Sequence, residues 1–571
     1  MTVKLYVNNI QVPLSEALSI KYFNPILNDM GGYSFPITFN GNNLAVQKAF
    51  NWPSGKGINN STLVAGKIKI GHHEYLGTWK VSEASEATIE ASFIPERGAF
   101  YLAVGDKTLR DLSYGGDRYP LGGLADEEDM VEYFNDFLDA SFPENDFAVF
   151  MAYMPNASGV EESENCKVVN PVDHDEETGE PFLSYPPSGI GYNNTIYLFA
   201  GLIVESIFNE YGYRINSNIF REDPDLRRLT VFNTYRRRYN EPALIRYSDH
   251  VPGIRIVDFL KTLRDRFGIV ALIEENSRSV SIVSIQNILK KQPRSIISNT
   301  ALKSFDKNRI SGVRLPFVSG DPWMVNGYDS ISDMYKYTPQ EVAKLRDIPA
   351  GPLRTFYLVR SESCYYEVIN SDGSYVIERR CVNSFPHLAG SEVSETEINS
   401  SHVGQYTYVR QISFEYNEQT RYTDIDYVVP RCDLQGWAAS FIDYPLMFCF
   451  ARGVQPCYIV PASGAPSSLS YPMGSFDVYN ALGAKIDDAN MALRWGGTYG
   501  LVDRLLGEII EWKLNRQQLC TINSETLVPL EDLIDFSRPV FYGNDKFIVD
   551  TFTAELFKNR LVISDLKLLR L

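Results

Sequence analysis

Little in this sequence advertises chemistry. Its seven cysteines contain no C-x-x-C pair, which argues against structural zinc, thioredoxin-type redox chemistry and a dense disulfide framework. No glycine-rich phosphate loop, G-x-S-x-G elbow or H-E-x-x-H pair occurs, so the common nucleotide, hydrolase and metalloprotease signatures are missing. The longest apolar run, "IYLFAGLIV" (196–204), is too short to cross a bilayer. The opening "MTVKLYVNNIQVPL" lacks the basic start and apolar core of a signal peptide, so synthesis in the cytoplasm without membrane insertion is expected. Basic residues are outnumbered, 54 against 71 acidic, giving a net charge of −17 and a pI near 5.0. That balance argues against a protein whose main task is gripping nucleic acid or an anionic membrane.

What is present reads as an ordered globular chain, 44% hydrophobic and 13% aromatic. Its 571 residues exceed the roughly 250–300 at which one core stops growing, so two to four domains are expected. Residues 1–124 read as a β-barrel or meander: a hairpin "VKLYV-NN-IQV" and three strands within "KIKIGHHEYLGTWKVSEASEATIEASFI" (67–94). Residues 125–195 hold a helix at "ADEEDMVEYFNDFLDA", with Met130, Phe134, Phe137 and Leu138 at helical spacing, then a strand "FAVFMAYM". A long acidic loop over 155–195 follows. Residues 196–300 carry two helix-then-strand units, whose helices are expected to stop in the left-handed conformation at Gly212 and Gly268. Residues 301–490 are mostly β, with a short helix at "TPQEVAKLRD" (338–347) and a hairpin at Asp372-Gly373. Residues 491–571 give an amphipathic helix (500–517), with Leu501, Leu505, Ile509 and Trp512 on one face, and three strands joined by "GND" and "KNR" turns. The fold class expected is α+β and β-rich, a multi-domain hub with β-barrel/meander modules and helix-strand-hairpin insertions.

Each candidate for chemistry has a plainer reading. Asp249-His250 could be a proton relay, but an Asp before Pro252 usually turns or caps the backbone, and adjacent residues of an extended chain point apart. His72-His73-Glu74 likewise diverge on a strand and lack a third ligand at a recognisable spacing. "TYRRRY" interleaves Arg236, Arg237 and Arg238 with Tyr235 and Tyr239; on so acidic a chain an ion-pair or subunit contact is the expected use. The acidic residues Glu161, Glu162, Glu164, Asp173, Asp175, Glu176, Glu177 and Glu180 are expected in a peripheral or subunit-contacting loop outside the core. A two- or four-residue turn at Asp372-Gly373 sets Cys364 opposite Cys381, as two free thiols or as a disulfide; Glu367 opposite Glu378 mildly disfavours that pairing. No residue is assigned a catalytic, cofactor-binding or metal-binding role, and no cofactor is expected.

Five stretches taken together resemble a known family: "LSIKYFNPILNDMGGYSFPITF" (18–39), "SFPENDFAVFMAY" (141–153), "LIVESIFNEYGYRI" (202–215), "VPGIRIVDFLKTLRDRFGIVALI" (251–273) and "MALRWGGTYGLVDRLL" (491–506). In this order they are similar to tail or baseplate hub proteins encoded by phages and prophages of Bacteroides-type bacteria. The resemblance runs through most of the chain, excepting 155–195 and 305–430. It implies a structural virion protein, not an enzyme, built of β-barrel modules with α/β insertions. Such a protein would form a homo-oligomeric ring, most often a trimer with pseudo-sixfold symmetry, joining the tail tube to distal tip or fibre proteins and passing DNA without binding it specifically. No lysozyme-like or peptidase segment accompanies it. A tail-associated glycan hydrolase, motivated by abundant carboxylates and aromatics, is the alternative, and a surface glycan-binding protein a third reading.

Overall fold

The computed structural model describes residues 2–571 apart from 29–31, 54–62, 116–131, 154–167, 176, 184–193, 236–244, 275, 295, 298–300, 307–339, 350–354, 363, 372–373, 382–404, 410–411, 417–418, 424, 432–445, 460–466, 495–497, 516–518, 525–529 and 543. The protein is a β-rich α+β fold.

The N-terminal sheet has six strands in the order Ile10–Val12, Val3–Val7, Leu63–Ile70, His73–Ala84, Thr88–Pro95 and Ile37–Asn40. Strict alternation of buried and open positions, as in "VKLYV", gives each strand one apolar face. The first hairpin turns through Asn8 and Asn9, both at positive φ (47° and 62°), as a type I′ turn demands. Trp79 sits at the centre of the apolar face, edge-on to Phe39 and Phe93 at 5.4 and 5.2 Å, and its indole N–H donates to the Tyr6 carbonyl at 3.1 Å.

After the first hairpin the chain leaves this sheet for two strands before Ile37–Asn40 rejoins it. Leu18–Phe23 pairs antiparallel with Asp545–Phe557, placing Ile20 opposite Ala554 and Tyr22 opposite Phe552, and Tyr33–Ser34 adds to its other edge. The C-terminal hairpin Asp545–Phe557/Arg560–Arg570 is the spine of this eight-stranded sheet, which also takes in Val540–Tyr542, Leu519–Ser524, Ala301–Asp306 and Ile296–Ile297.

Between these sheets lies the α/β unit. The helix Ala200–Glu210 leads to Arg214–Asn218, and the helix Ile256–Phe267 leads to the hairpin Ile269–Glu274/Ser279–Ser284. Ser279–Ser284 is central, parallel to Arg214–Asn218 and antiparallel to Ile269–Glu274. Both glycines do what local chemistry requires: Gly212 has φ +75° and Gly268 has φ +62°, each just past its helix. The late helix buries Leu501, Leu505, Ile509 and Trp512 as the spacing predicts, although Val502–Leu506 is wound as a π-helix before the α-helix Gly507–Asn515.

Five expectations need correction. "TPQEVAKLRD" is not helical where described: Gln340–Val342 pairs parallel with Thr355–Val359, and Leu345–Asp347 is one 3-10 turn. Backbone pairing with a neighbouring strand outweighs weak helix propensity there. "FAVFMAYM" is two short strands, Phe147–Ala148 and Ala152–Tyr153, that join different sheets. The helix at 125–140 is described only from residue 132, where one helical turn, residues 132–135, gives way to turns; Phe134 and Leu138 are buried, and Met130 lies outside the described residues.

The fourth concerns the acidic stretch. Two short pairings lie within it: Val168–Val169 pairs with Ala152–Tyr153, and Val172–His174 pairs antiparallel with Pro181–Leu183. Val168, Val169, Asn170, Val172 and Leu183 are buried. The described acidic residues Asp173, Asp175, Glu177 and Glu180 are exposed as expected, but excising 158–182 would also remove the buried Val168, Val169, Asn170 and Val172. Glu161, Glu162, Glu164 and Glu176 lie outside the described residues. The strands Cys364–Ser371 and Ser374–Cys381 pair antiparallel as expected with Glu367 opposite Glu378, but a bulge sets Cys381 opposite Tyr365, while Cys364 pairs with Val359 of the preceding strand; residues 372–373 lie outside the described residues.

Candidate functional site

The Asp249-His250 dyad lies in the 3-10 turn Tyr247–His250, anchored by the Tyr247 hydroxyl donating to Asp146 at 2.9 Å. The two residues part company there: His250 is fully buried and Asp249 half-buried. His250 Nδ1 is 3.3 Å from the Thr195 hydroxyl, and the ring meets Tyr235 edge-on at 5.0 Å. The Thr195 hydroxyl donates its one proton to Asn233 Oδ1 at 3.2 Å, and that oxygen is fixed in place by accepting the Tyr235 N–H at 3.0 Å. Nδ1 of His250 therefore carries a proton and donates to Thr195. Asn170 completes the knot, donating to the carbonyls of Phe150 and Thr195 and accepting the Thr195 N–H.

A hydroxyl beside an imidazole suggests nucleophile and base, but Thr195 is 1% and His250 0% exposed, so no substrate reaches them. The arrangement ties three separate chain segments together. His250→Ala is expected to cost about 2–3 kcal/mol, the sum of a lost buried contact and the lost hydrogen bond to the Thr195 hydroxyl. Urea denaturation followed by fluorescence reads it; an unchanged midpoint would refute the structural role.

His72-His73-Glu74 also disperses. His72 is in the exposed turn after Gly71. Glu74 turns to Lys67 and Lys69 at 3.1 and 3.3 Å, whose hydrogen bonds hold its carboxyl below the usual range. His73 Nε2 lies 3.3 Å from Glu531, which also accepts the Tyr75 hydroxyl at 3.3 Å. Burial first, then the Glu531 charge, pushes the Tyr75 phenol up, so it stays a neutral donor. This pair seats the N-terminal sheet on the helix Leu530–Ile534, next to which Asp535 receives Arg294 and the Ser537 hydroxyl.

Burial raises the Asp535 carboxyl, but the Ser537 hydroxyl, Arg294 and the Ser537 N–H outweigh it and leave it below its ordinary value. A depressed carboxylate contributes stability that is present above its unfolded pKa and is lost as pH falls through the folded one. The melting-temperature gap between wild type and Asp535→Asn is therefore expected to be full above about pH 5 and to close progressively below about pH 4. A gap independent of pH would show that the carboxylate charge does not matter.

The strongest electrostatics were not foreseen. Arg452 and Asp225 form a buried ion pair at 3.2 Å, with side chains 2% and 0% exposed; Arg494 and Asp477 form another at 3.0 Å. Asp225 Oδ1 also accepts the N–H groups of Asn490 and Met491, at 2.9 and 3.0 Å. Arg452 donates to the carbonyls of Asp477 and Met491 and lies 4.2 Å over the Phe450 ring. Arg266, on the helix Ile256–Phe267, donates to the Leu493 carbonyl at 3.1 Å; burial lowers its pKa to about 10. These contacts lock the turn at 223–228, the strand Met447–Ile459 and the segment 489–494 onto the α/β unit. No recognisable spacing hints at them: Arg494 and Asp477 stand 17 residues apart, and Asp225 and Arg452 stand 227 apart.

Of "TYRRRY", Tyr235 packs on His250, and Arg236, Arg237, Arg238 and Tyr239 lie outside the described residues. Among the described residues no group of three His, Cys, Asp or Glu side chains is placed to hold a metal ion, and no helix is long and apolar enough to cross a membrane. No known protein family matches the sequence, and no curated protein matches it.

Proposed function

We propose that this chain is a structural subunit of a phage tail hub, closing with copies of itself into a ring, trimeric in the simplest case, that joins the tail tube to distal tip or fibre proteins and passes DNA. The resemblance of five ordered segments motivates the reading. The observation that carries it is the tie between the two ends of the sequence: Leu18–Phe23 is built into the C-terminal sheet, and His73 and Tyr75 seat the N-terminal sheet on Glu531. Two sheets so joined make a stiff wall segment, which suits a ring under mechanical load. The candidate dyads serve as joints and offer no open reaction centre, which fits a scaffold. An excess of carboxylates repels duplex DNA and keeps its transit loose.

Electron cryo-microscopy of intact particles tests this: copies should form a closed ring on the tail axis with interfaces of about 1,600 Å² or more. A monomer on a fibre, or a strongly basic lumen, would overturn it. Clearing of peptidoglycan by the purified chain would replace it with the enzymatic reading.

A further inference from the structure

The N-terminal sheet buries one face; its other face is exposed or half-buried. The positions between the buried residues carry Lys4, Tyr6, Leu63, Lys67, Lys69 and Lys80, with Glu74 and Glu90 as the acidic members. Strand register arranges them in rows: Lys4 opposite Lys69, Tyr6 opposite Lys67, Leu63 opposite Lys80. Lys4 facing Lys69 is a like-charge pair directly across an antiparallel ladder, an arrangement that weakens a sheet. Glu74 accepts from both Lys67 and Lys69, but among the described residues Lys4 and Lys80 have no carboxylate partner. Leu63 is half exposed beside them.

The charge of this module is out of step with the rest of the chain. Residues 1–115 hold ten Lys and Arg against nine Asp and Glu, so the whole acidic excess of the chain lies in the remaining residues.

We propose that this lysine-bearing sheet face docks an acidic surface of a second copy of the chain. The inference rests on the self-assembly part of the hub reading and names one of its contacts. The partner's carboxylates would sit between Lys4 and Lys69 and at Lys80, removing a repulsion the isolated fold has to carry. Basic face on one copy and acidic surface on the next make a head-to-tail contact, the kind that closes rings. A protein partner fits better than a nucleic acid. Glu74 already holds two of the lysines, and Tyr6 and Leu63 interrupt the charge, whereas phosphate-binding faces are strongly positive and polar.

Sedimentation velocity on the full chain, over about 5 to 200 µM and at about 50 and 500 mM NaCl, compares wild type with the double variant K4E/K80E. Wild type should self-associate, more weakly at high salt, and the variant should associate about tenfold more weakly or worse. The variant should melt no lower than wild type, because Lys4→Glu turns the clash with Lys69 into an attraction. That opposite sign separates lost docking from lost folding. Association that ignores both salt and the substitutions would overturn this surface and leave the ring standing. A wild type that stays monomeric throughout would overturn both. Retention of a labelled DNA duplex by wild type but not by K4E/K80E would assign the face to phosphate and overturn the proposal.

Discussion

Asp225→Ala should be the most damaging single substitution in the described core, lowering stability by about 3–5 kcal/mol, the range for stranding one member of a buried ion pair. The loss is threefold. Arg452 keeps only carbonyl partners for a buried charge, and the N–H groups of Asn490 and Met491 lose their acceptor. Arg452→Met should cost less, since methionine keeps the packing over Phe450 and leaves Asp225 with two backbone donors. Arg452→Met combined with Asp225→Asn should cost clearly less than the two changes summed, because replacing both partners removes the stranded charge. Urea midpoints for wild type, Asp225→Asn, Arg452→Met and the double variant measure this coupling; simple additivity would show that the two groups do not act as a pair.

The second large effect contrasts two glycines that share a conformation. Gly212→Val and Gly268→Val both force a β-branched residue into the left-handed region, at about 1–2 kcal/mol. At Gly212 a side chain would meet nothing within 4 Å. At Gly268 the new Cβ would lie 2.8 Å from Ile509 Cδ1 and 3.1 Å from Leu506 Cδ2, adding an overpacking cost of about 1–3 kcal/mol. Gly268→Val should therefore destabilise by roughly 2–5 kcal/mol and exceed Gly212→Val in any thermal or denaturant titration. Equal losses would mean that the helix bearing Ile509 gives way freely.

These glycines also mark the boundary of what local sequence conveys. Their role was readable because a helix of regular apolar spacing followed by glycine has few other endings. The Asn8-Asn9 hairpin and the "GND" and "KNR" turns were readable for the same reason: turn chemistry acts within a few residues. The short strands at 168–174 and 181–183 were not, since acidic and glycine-rich residues mask a pairing decided by partners elsewhere. The bulge that moves Cys381 past Cys364 was hidden too, because one extra residue in a strand leaves the alternation around it almost intact. Least legible were the joints. His250 reads as chemistry when its neighbour is Asp249 and as architecture once Thr195, Asn233 and Tyr235 surround it, and Asp225 and Arg452 carry no local signal at all.

The pairing of Leu18–Phe23 with Asp545–Phe557 has a consequence in time. Asn24, at the end of that strand, donates to Val549, 525 residues further along the chain. At ribosomal speeds of about 5–20 residues per second, roughly half a minute to two minutes separates the appearance of the two strands. Throughout that interval Leu18, Ile20 and Tyr22 stand on a strand whose long partner does not yet exist, with an open edge that invites pairing between nascent chains. Closure of this sheet thus waits for Asp545–Phe557, and a chain interrupted before residue 545 keeps that adhesive edge for good.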